Sequence, residues 1–305
     1  LAAAASCLRL RAQVVAQIRA FFSARNVAEV TTPCLVGAPV SEVGIGSIAA
    51  AGGWLRTSPE FEMKRLLAAG SGDIWQLGPV FRDDESGRLH RPEFTLLEWY
   101  RVGMDYLRLL DETLELLSQI LRPLRPAAPL RLCWRDAFHN AFGVAPPDDD
   151  KRLQTIAAEH GLHDCRDAHD ALDFLLAQMA ARHFSGDALT AVYDFPARQA
   201  SYARISERGC AQRFEVFYGG MELANGFQEL TAAADYRARF AADNARRARL
   251  GLAAAPPDER FLAALERPGG RGLPECSGVA AGLERLLMCL ARARDIAEVL
   301  PMTDA

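Results

Sequence analysis

Between Phe81 and Arg101 the chain reads FRDDESGRLHRPEFTLLEWYR, and its middle crowds Asp83, Asp84, Glu85, Arg88, His90 and Arg91 into nine residues. Arginine forks and a histidine among carboxylates suit the grip of a polyanion such as a nucleoside triphosphate. Hairpin loops are usually short and rich in Gly and Asn, so one this long and this charged points to a task beyond turning. In the strand that returns from the loop, Phe94, Leu96, Glu98 and Tyr100 alternate onto one face. A solvated hairpin explains the same residues equally well at this point.

A second constellation lies in RFEVFYGGMELANGFQELT, residues 213–231, where Gly219-Gly220 reads as a hairpin turn. The segment after the turn holds Glu222, Asn225 and Glu229 among apolar neighbours. Burying an unpaired carboxylate is costly, so these glutamates ask for a partner. Magnesium or a substrate ammonium would serve, and an edge strand facing solvent is the competing explanation. Ser58, Pro59 and Glu60, in TSPEFEMK, form an ordinary helix start that needs no ligand. In PECSGVAAGLERLLMCLAR, residues 274–292, small residues including Ala280 and Gly282 let backbone approach a ligand or a sheet. Arg285 is the odd polar residue in the apolar run that follows, unless it marks the exposed face of an amphipathic helix.

These residues need elements to hold them. Leu10, Val14, Ile18, Phe21 and Phe22 recur at helical spacing and predict an amphipathic helix over 6–25. VAEVTTP, 27–33, predicts a strand ended by Pro33, and 34–53 a loop with a possible short strand. Strands are expected over 74–82 and 92–101, then a core helix marked by Leu107, Leu110, Leu114, Leu117 and Leu121. The proline-containing RPLRPAAPL, 122–130, reads as a connector, and 131–195 as a mainly helical insertion. His139, His160, His163, His169 and His183 lie there at spacings that match no metal site. A polar helix is expected over 232–250 with Gly251 closing it.

The net charge of −4 gives no basic field for nucleic acid. Seven cysteines without a CxxC pair argue against a zinc site or a disulfide framework and for a reducing compartment. Arg9 and Arg11 interrupt the apolar start too early for a secretory signal, and no apolar run is long enough to span a membrane. A soluble cytoplasmic protein is expected.

Taken in order, the blocks resemble the catalytic core of class II aminoacyl-tRNA synthetases. The helix, strand and Pro33 look like motif 1, the Phe81–Arg101 hairpin like motif 2, and Gly278–Met288 like motif 3. TSPE, HRPEFTLLE and ELANGFQEL are closest to the lysine branch. FPARQASYARI, 195–205, and PECSGVAAG, 274–282, resemble the truncated lysyl-tRNA synthetase relatives that attach (R)-β-lysine to elongation factor P. The resemblance implies an α+β fold, a mainly antiparallel sheet flanked by helices, as one catalytic domain over 1–305. With only about 25 residues before motif 1, it implies no anticodon-binding domain.

It also implies roles. Arg82 binds the α-phosphate, with Arg88 and His90 toward the outer phosphates. Asp84 reads the adenine amino group, Asp83 and Arg91 also belong to the ATP-binding set, and Phe94 and Arg285 sandwich the ring. Leu223 and Gly282 line the nucleotide with backbone. Glu222 and Glu229 hold magnesium, and Glu229 also serves the substrate. Ser58, Pro59, Glu60, Glu98, Tyr100, Asn225 and Ala280 border the amino acid. Arg82, Glu222, Glu229 and Arg285 form the catalytic set. The chain departs from the family in Asp84, where motif 2 has Glu, and in Arg91, where Asn precedes PEF. The implied activity is ATP- and magnesium-dependent activation of (R)-β-lysine and its transfer to elongation factor P by a homodimer without stable tRNA binding. A free-standing lysyl-tRNA synthetase core and a non-catalytic synthetase-like binding module are the alternatives.

Overall fold

The computed structural model describes residues 2–83, 85–184, 186–266 and 272–300. Helix α1 (Ala2–Ser23) leads to β1 (Ala28–Glu29), then to β2 (Leu35–Val36), β3 (Ile48–Ala50) and β4 (Gly53–Leu55), and to helix α2 (Glu60–Ala68). The long hairpin is β5 (Ile74–Phe81) and β6 (Glu93–Val102), followed by α3 (Tyr106–Leu121). Next come β7 (Ala127–Cys133), α4 (Trp134–Phe142), α5 (Asp150–Glu159), α6 (Ala168–His183) and β8 (Ala188–Pro196). A second hairpin, β9 (Cys210–Tyr218) and β10 (Met221–Gln228), precedes α7 (Ala233–Arg249), α8 (Glu259–Leu265), β11 (Cys276–Gly282) and α9 (Leu283–Ala291).

Eight strands make one sheet in the order β1-β5-β6-β11-β10-β9-β8-β7, and β2, β4 and β3 make a smaller one. Only the edge pairs β1–β5 and β7–β8 are parallel; the central pairs are antiparallel. Alternation on β6 separates two environments. Leu97 and Trp99 enter the main core with Phe22 of α1 and Leu109 and Leu117 of α3, while Phe94, Leu96, Glu98 and Tyr100 face a cavity. Phe22 stacks on Trp75 with ring centroids 5.0 Å apart. A second core forms where α4, α5 and α6 cover β8 and β9, and a third where α2, α7 and α8 meet. No helix among the described residues is long and apolar enough to cross a membrane.

Three expectations change. The strand over 27–33 shrinks to Ala28–Glu29, because the chain beyond it is held by a side chain rather than by a ladder. Buried Arg56 donates from Nη1 to the carbonyls of Thr32 and Pro33 at 2.8 and 3.3 Å, and from Nε to that of Pro79 at 2.9 Å. Part of the expected connector, from Ala127, is strand β7. Pro129 is tolerated there because β7 is an edge and needs no N–H on its outer side. Both ends of the 131–195 segment are therefore strands of the main sheet, with α4, α5 and α6 between them.

Candidate active site

The sheet register assembles the site. Gly278, Ala280 and Gly282 on β11 lie opposite Tyr100, Glu98 and Leu96 on β6, and Ala280 also pairs with Asn225 on β10. A cavity of about 450 Å³ opens over these central strands, within the usual range for a small-molecule site. Three contacts fix its walls. Glu284, at the start of α9, pairs with Arg11 of α1 at 2.9 Å and accepts from the Thr95 backbone N–H at 2.8 Å. Across the cavity, the Thr57 carbonyl accepts from Arg82 Nε at 3.3 Å.

One end is cationic and aromatic. The Arg82 guanidinium carbon lies 5.0 Å from the Phe94 ring centroid, and Arg82 Nη1 pairs with Glu85 at 3.4 Å. Arg285 donates from Nη1 to the Glu222 carbonyl at 2.9 Å and pairs with its carboxylate at 3.2 Å. Arg285 Nη2 lies 2.8 Å from His90 Nε2. Burial, then the Arg285 charge, holds His90 below the ordinary imidazole value. The neutral ring thus accepts that hydrogen bond.

The other end is acidic and buried. Ser58 Oγ donates to Glu98 Oε2 at 2.5 Å, and the Tyr100 hydroxyl to Oε1 at 2.6 Å. Ser58 Oγ also accepts from the Glu60 N–H at 3.1 Å, so the helix start anchors the carboxylate it faces. Glu98 is 3% exposed, and burial, with Glu60 nearby, pushes its carboxyl up to about 7. Glu229 is fully buried and its Oε2 sits 2.6 Å from Lys64 Nζ.

The expected residues divide clearly. Ser58, Glu60, Glu98, Tyr100, Glu229 and Ala280 line the acidic end, and Arg82, His90, Phe94, Glu222, Gly282 and Arg285 the cationic end, with Asn225 and Leu223 also in the wall. Arg91 reaches the wall too, but its guanidinium closes the hairpin loop onto the Gly87 carbonyl at 2.7 Å and onto Asp295 at 3.3 Å. Pro59, Asp83 and Arg88 stand outside the wall. Pro59 caps α2, the Asp83 backbone bonds Gly46 at 3.0 Å, and the Arg88 carbonyl accepts from the Ile296 N–H at 2.9 Å. Asp84 lies outside the described residues.

Residues 2–304 match the model of the tRNA synthetases class II (D, K and N) family. The elongation factor P–(R)-β-lysine ligase of Vibrio cholerae is 46% identical, the alignment covering 94% of this chain and 91% of that protein. The ligases of the same name from Klebsiella pneumoniae and Proteus mirabilis are 44% and 43% identical over 96% and 95% of the chain, and over 93% and 92% of their own lengths. The chain belongs to this family of class II synthetase-like ligases.

As an ATP-dependent ligase of this class, the protein has its cation-rich end suited to a triphosphate and its acidic end to an ammonium-bearing substrate. Charged wall residues that escaped the sequence reading include Glu42, Asp173, Arg213, Glu215 and Glu284. Arg213 donates from Nη2 to Glu215 at 2.5 Å and from Nε to Asn225 Oδ1 at 3.1 Å. Burial pushes the Glu215 carboxyl up to about 8 even against Arg213. Alternation over RFEV was the available signal, since it puts Arg213 and Glu215 on one face. Lys64, behind the acidic end, was also passed over.

Proposed function

We propose that the protein activates (R)-β-lysine with ATP as an aminoacyl-adenylate and transfers it to a lysine ε-amine of elongation factor P. The observation that carries this reading is the gathering of Glu60, Glu98 and Glu229 at one end of a cavity whose other end holds Arg82 and Arg285. Carboxylates there suit a substrate with two ammonium groups, and guanidinium groups suit phosphates. The names of the relatives, which specify elongation factor P and (R)-β-lysine, support the same substrates.

The substrate carboxylate is already a nucleophile, so no Ser, Cys or His attacker is required. Its oxygen bonds the α-phosphorus as the bond to pyrophosphate breaks. Arg82 offsets charge on the α-phosphate, and Phe94 and Arg285 hold the adenine between them. The acceptor amine then bonds the carbonyl carbon, and AMP leaves with the electron pair of the anhydride bond. Ser58 and Tyr100 orient Glu98 for a substrate ammonium, and Glu60 and Glu229 take the remaining positive charge. The methyl of Ala280, opposite Glu98, narrows the pocket where lysyl-tRNA synthetases carry Gly. One methyl is worth ~1–3 kcal/mol of discrimination.

Magnesium fits one of the two glutamates first considered for it. Glu222 is a hard oxygen donor with its side chain 39% exposed, whereas the Glu229 carboxylate is buried against an ammonium. No group of three or more His, Cys, Asp or Glu residues among those described could hold a metal. Glu222 together with phosphate oxygens is therefore the proposed ligand set, which is how magnesium is usually carried to nucleotides. When bound, the ion offsets phosphate charge. Glu229 is reserved for the amino acid. We read the protein as a cytoplasmic homodimer on family grounds, without stable tRNA binding. ATP–pyrophosphate exchange tests the activation half: it should depend on (R)-β-lysine, and its absence with every diamino acid would overturn the reading.

A further inference from the structure

Only two lysines, Lys64 and Lys151, occur in a chain with 35 Lys and Arg residues. Lys151 is exposed, whereas Lys64 has no exposed surface. Its ammonium lies 2.5 Å from Glu60 Oε1 and 2.6 Å from Glu229 Oε2. Four rings surround it, with centroids 5.2 Å away for Tyr236, 5.4 Å for Phe227, 5.7 Å for Tyr202 and 6.0 Å for Tyr100. A compact ammonium suits a cage closed on several sides, whereas a planar guanidinium stacks flat on a single ring. Elsewhere the chain buries arginine, as at Arg56.

Lys64 does not line the cavity, but both of its carboxylate partners do. It stands behind them. Glu229 Oε1 is buried with no hydrogen-bond partner, although buried carboxylate oxygens are normally satisfied. That oxygen is directed at Gly278, where an added Cβ would come within 2.5 Å of it, beside the cavity wall. Burial holds the Glu98 and Glu229 carboxyls up to about 7 and about 8, and once these two and Glu60 are all ionised, one ammonium leaves this end with two negative charges.

We propose that Lys64 is a positioning residue that clamps Glu60 and Glu229 as fixed acceptors and trims the charge of the pocket to match a substrate with two ammonium groups. This rests on the reading of the protein as a lysine-activating ligase. Burial presses the Lys64 pKa down, but Glu229 and then Glu60 outweigh it and hold the ammonium well above its ordinary value. The groups facing it are Glu60 on its own helix, Glu98 and Tyr100 on β6, and Glu229 just after β10. Tyr202, Tyr236 of α7 and Cys276 of β11 complete the surroundings. Loss of the ammonium raises the Glu229 and Glu98 carboxyl pKa values, which the Lys64 charge lowers, and with them the pH at which the pocket can hold a cation.

The test combines kinetics with spectroscopy. In pyrophosphate exchange, Lys64→Met should raise KM for (R)-β-lysine by roughly tenfold or more, leave KM for ATP within about twofold, and move the acid limb of kcat/KM up by about one pH unit. Lys64→Arg, which keeps the charge, should keep the acid limb in place while raising KM. A folded Lys64→Met with unchanged KM and unchanged acid limb overturns the inference and leaves the ligase reading standing. Wild-type protein inert with every diamino acid overturns both. If Lys64→Met does not fold, wild-type protein labelled with ¹³Cε,¹⁵Nζ-lysine decides, because it yields two side-chain signals. The Lys64 signal should be that of an ammonium at pH 8 and should shift on titration with (R)-β-lysine while Lys151 stays put. A neutral amine at pH 8, or a Lys64 signal unmoved by a saturating substrate, overturns the proposal.

Discussion

Arg285 Nη1 on α9 lies 3.2 Å from the Glu222 carboxylate on β10 and 2.9 Å from its carbonyl oxygen. The guanidinium is therefore oriented before any nucleotide arrives, and His90 supports its other nitrogen at 2.8 Å. Preorganised charge needs little rearrangement on binding. Arg285→Ala should raise KM for ATP by roughly 10–100-fold, about 1.4–2.7 kcal/mol, with KM for the amino acid nearly unchanged. Pyrophosphate exchange at varied ATP measures this directly. Equal changes in both constants would mean that Arg285 holds the site together rather than the nucleotide.

Glu98 links pH to both stability and binding. Burial, then Glu60, lifts its carboxyl from 4.5 to about 7, so between those values the folded chain keeps a proton that the unfolded chain has released. Stability accordingly falls as pH rises through that window, by up to about 3 kcal/mol at its upper end. Glu98→Gln removes this loss, and its Tm should decline less than that of the wild type between pH 5 and 8. The same variant should lose affinity for the diamino acid, whose binding to wild type strengthens over that range. Parallel Tm profiles would contradict the assignment.

Glu229→Gln should lower adenylate formation by about 10²-fold or more, because the carboxylate facing the substrate is gone. It also leaves the buried Lys64 ammonium with Glu60 as its remaining carboxylate partner within ion-pair distance. Breaking a buried pair on one side costs ~3–5 kcal/mol, and a clear drop in Tm is expected alongside the lost exchange. Full exchange activity in a stable variant would contradict the placing of Glu229 at the substrate.

Gly278 is a test of space rather than charge. An added methyl would come within 2.5 Å of Glu229 Oε1 and overlap the Tyr100 ring. Gly278→Ala should therefore raise KM for the amino acid at least tenfold, about 1.4 kcal/mol, with a smaller effect on ATP. Isothermal titration with each ligand separates the two effects.

Much of this site was legible in the chain. The alternation of Phe94, Leu96, Glu98 and Tyr100 survives in the structure as one cavity face, since successive side chains of a strand point to opposite faces. Glu229 in an apolar stretch did need a partner, but Lys64 supplies it from a distant helix, and no local pattern encodes that pairing. Its signal was compositional: one of only two lysines in a chain that otherwise uses arginine. Arg213 and Glu215 were hidden for a related reason, because their place in the wall depends on the β9–β10 register that sets Glu215 against Asn225. The loop residues Asp83 and Arg88 show the converse. Both were expected at the nucleotide, Arg88 at its outer phosphates, yet neither is among the residues of the cavity wall, and backbone contacts to Gly46 and Ile296 hold the loop.

The most direct measurement is a transfer assay with ATP, magnesium and labelled (R)-β-lysine, with elongation factor P and tRNA-Lys offered in parallel and α-lysine as control. The account predicts a mass increase of one β-lysyl unit on elongation factor P, little label on the tRNA, and weaker use of α-lysine. Label on the tRNA with none on the protein would contradict it.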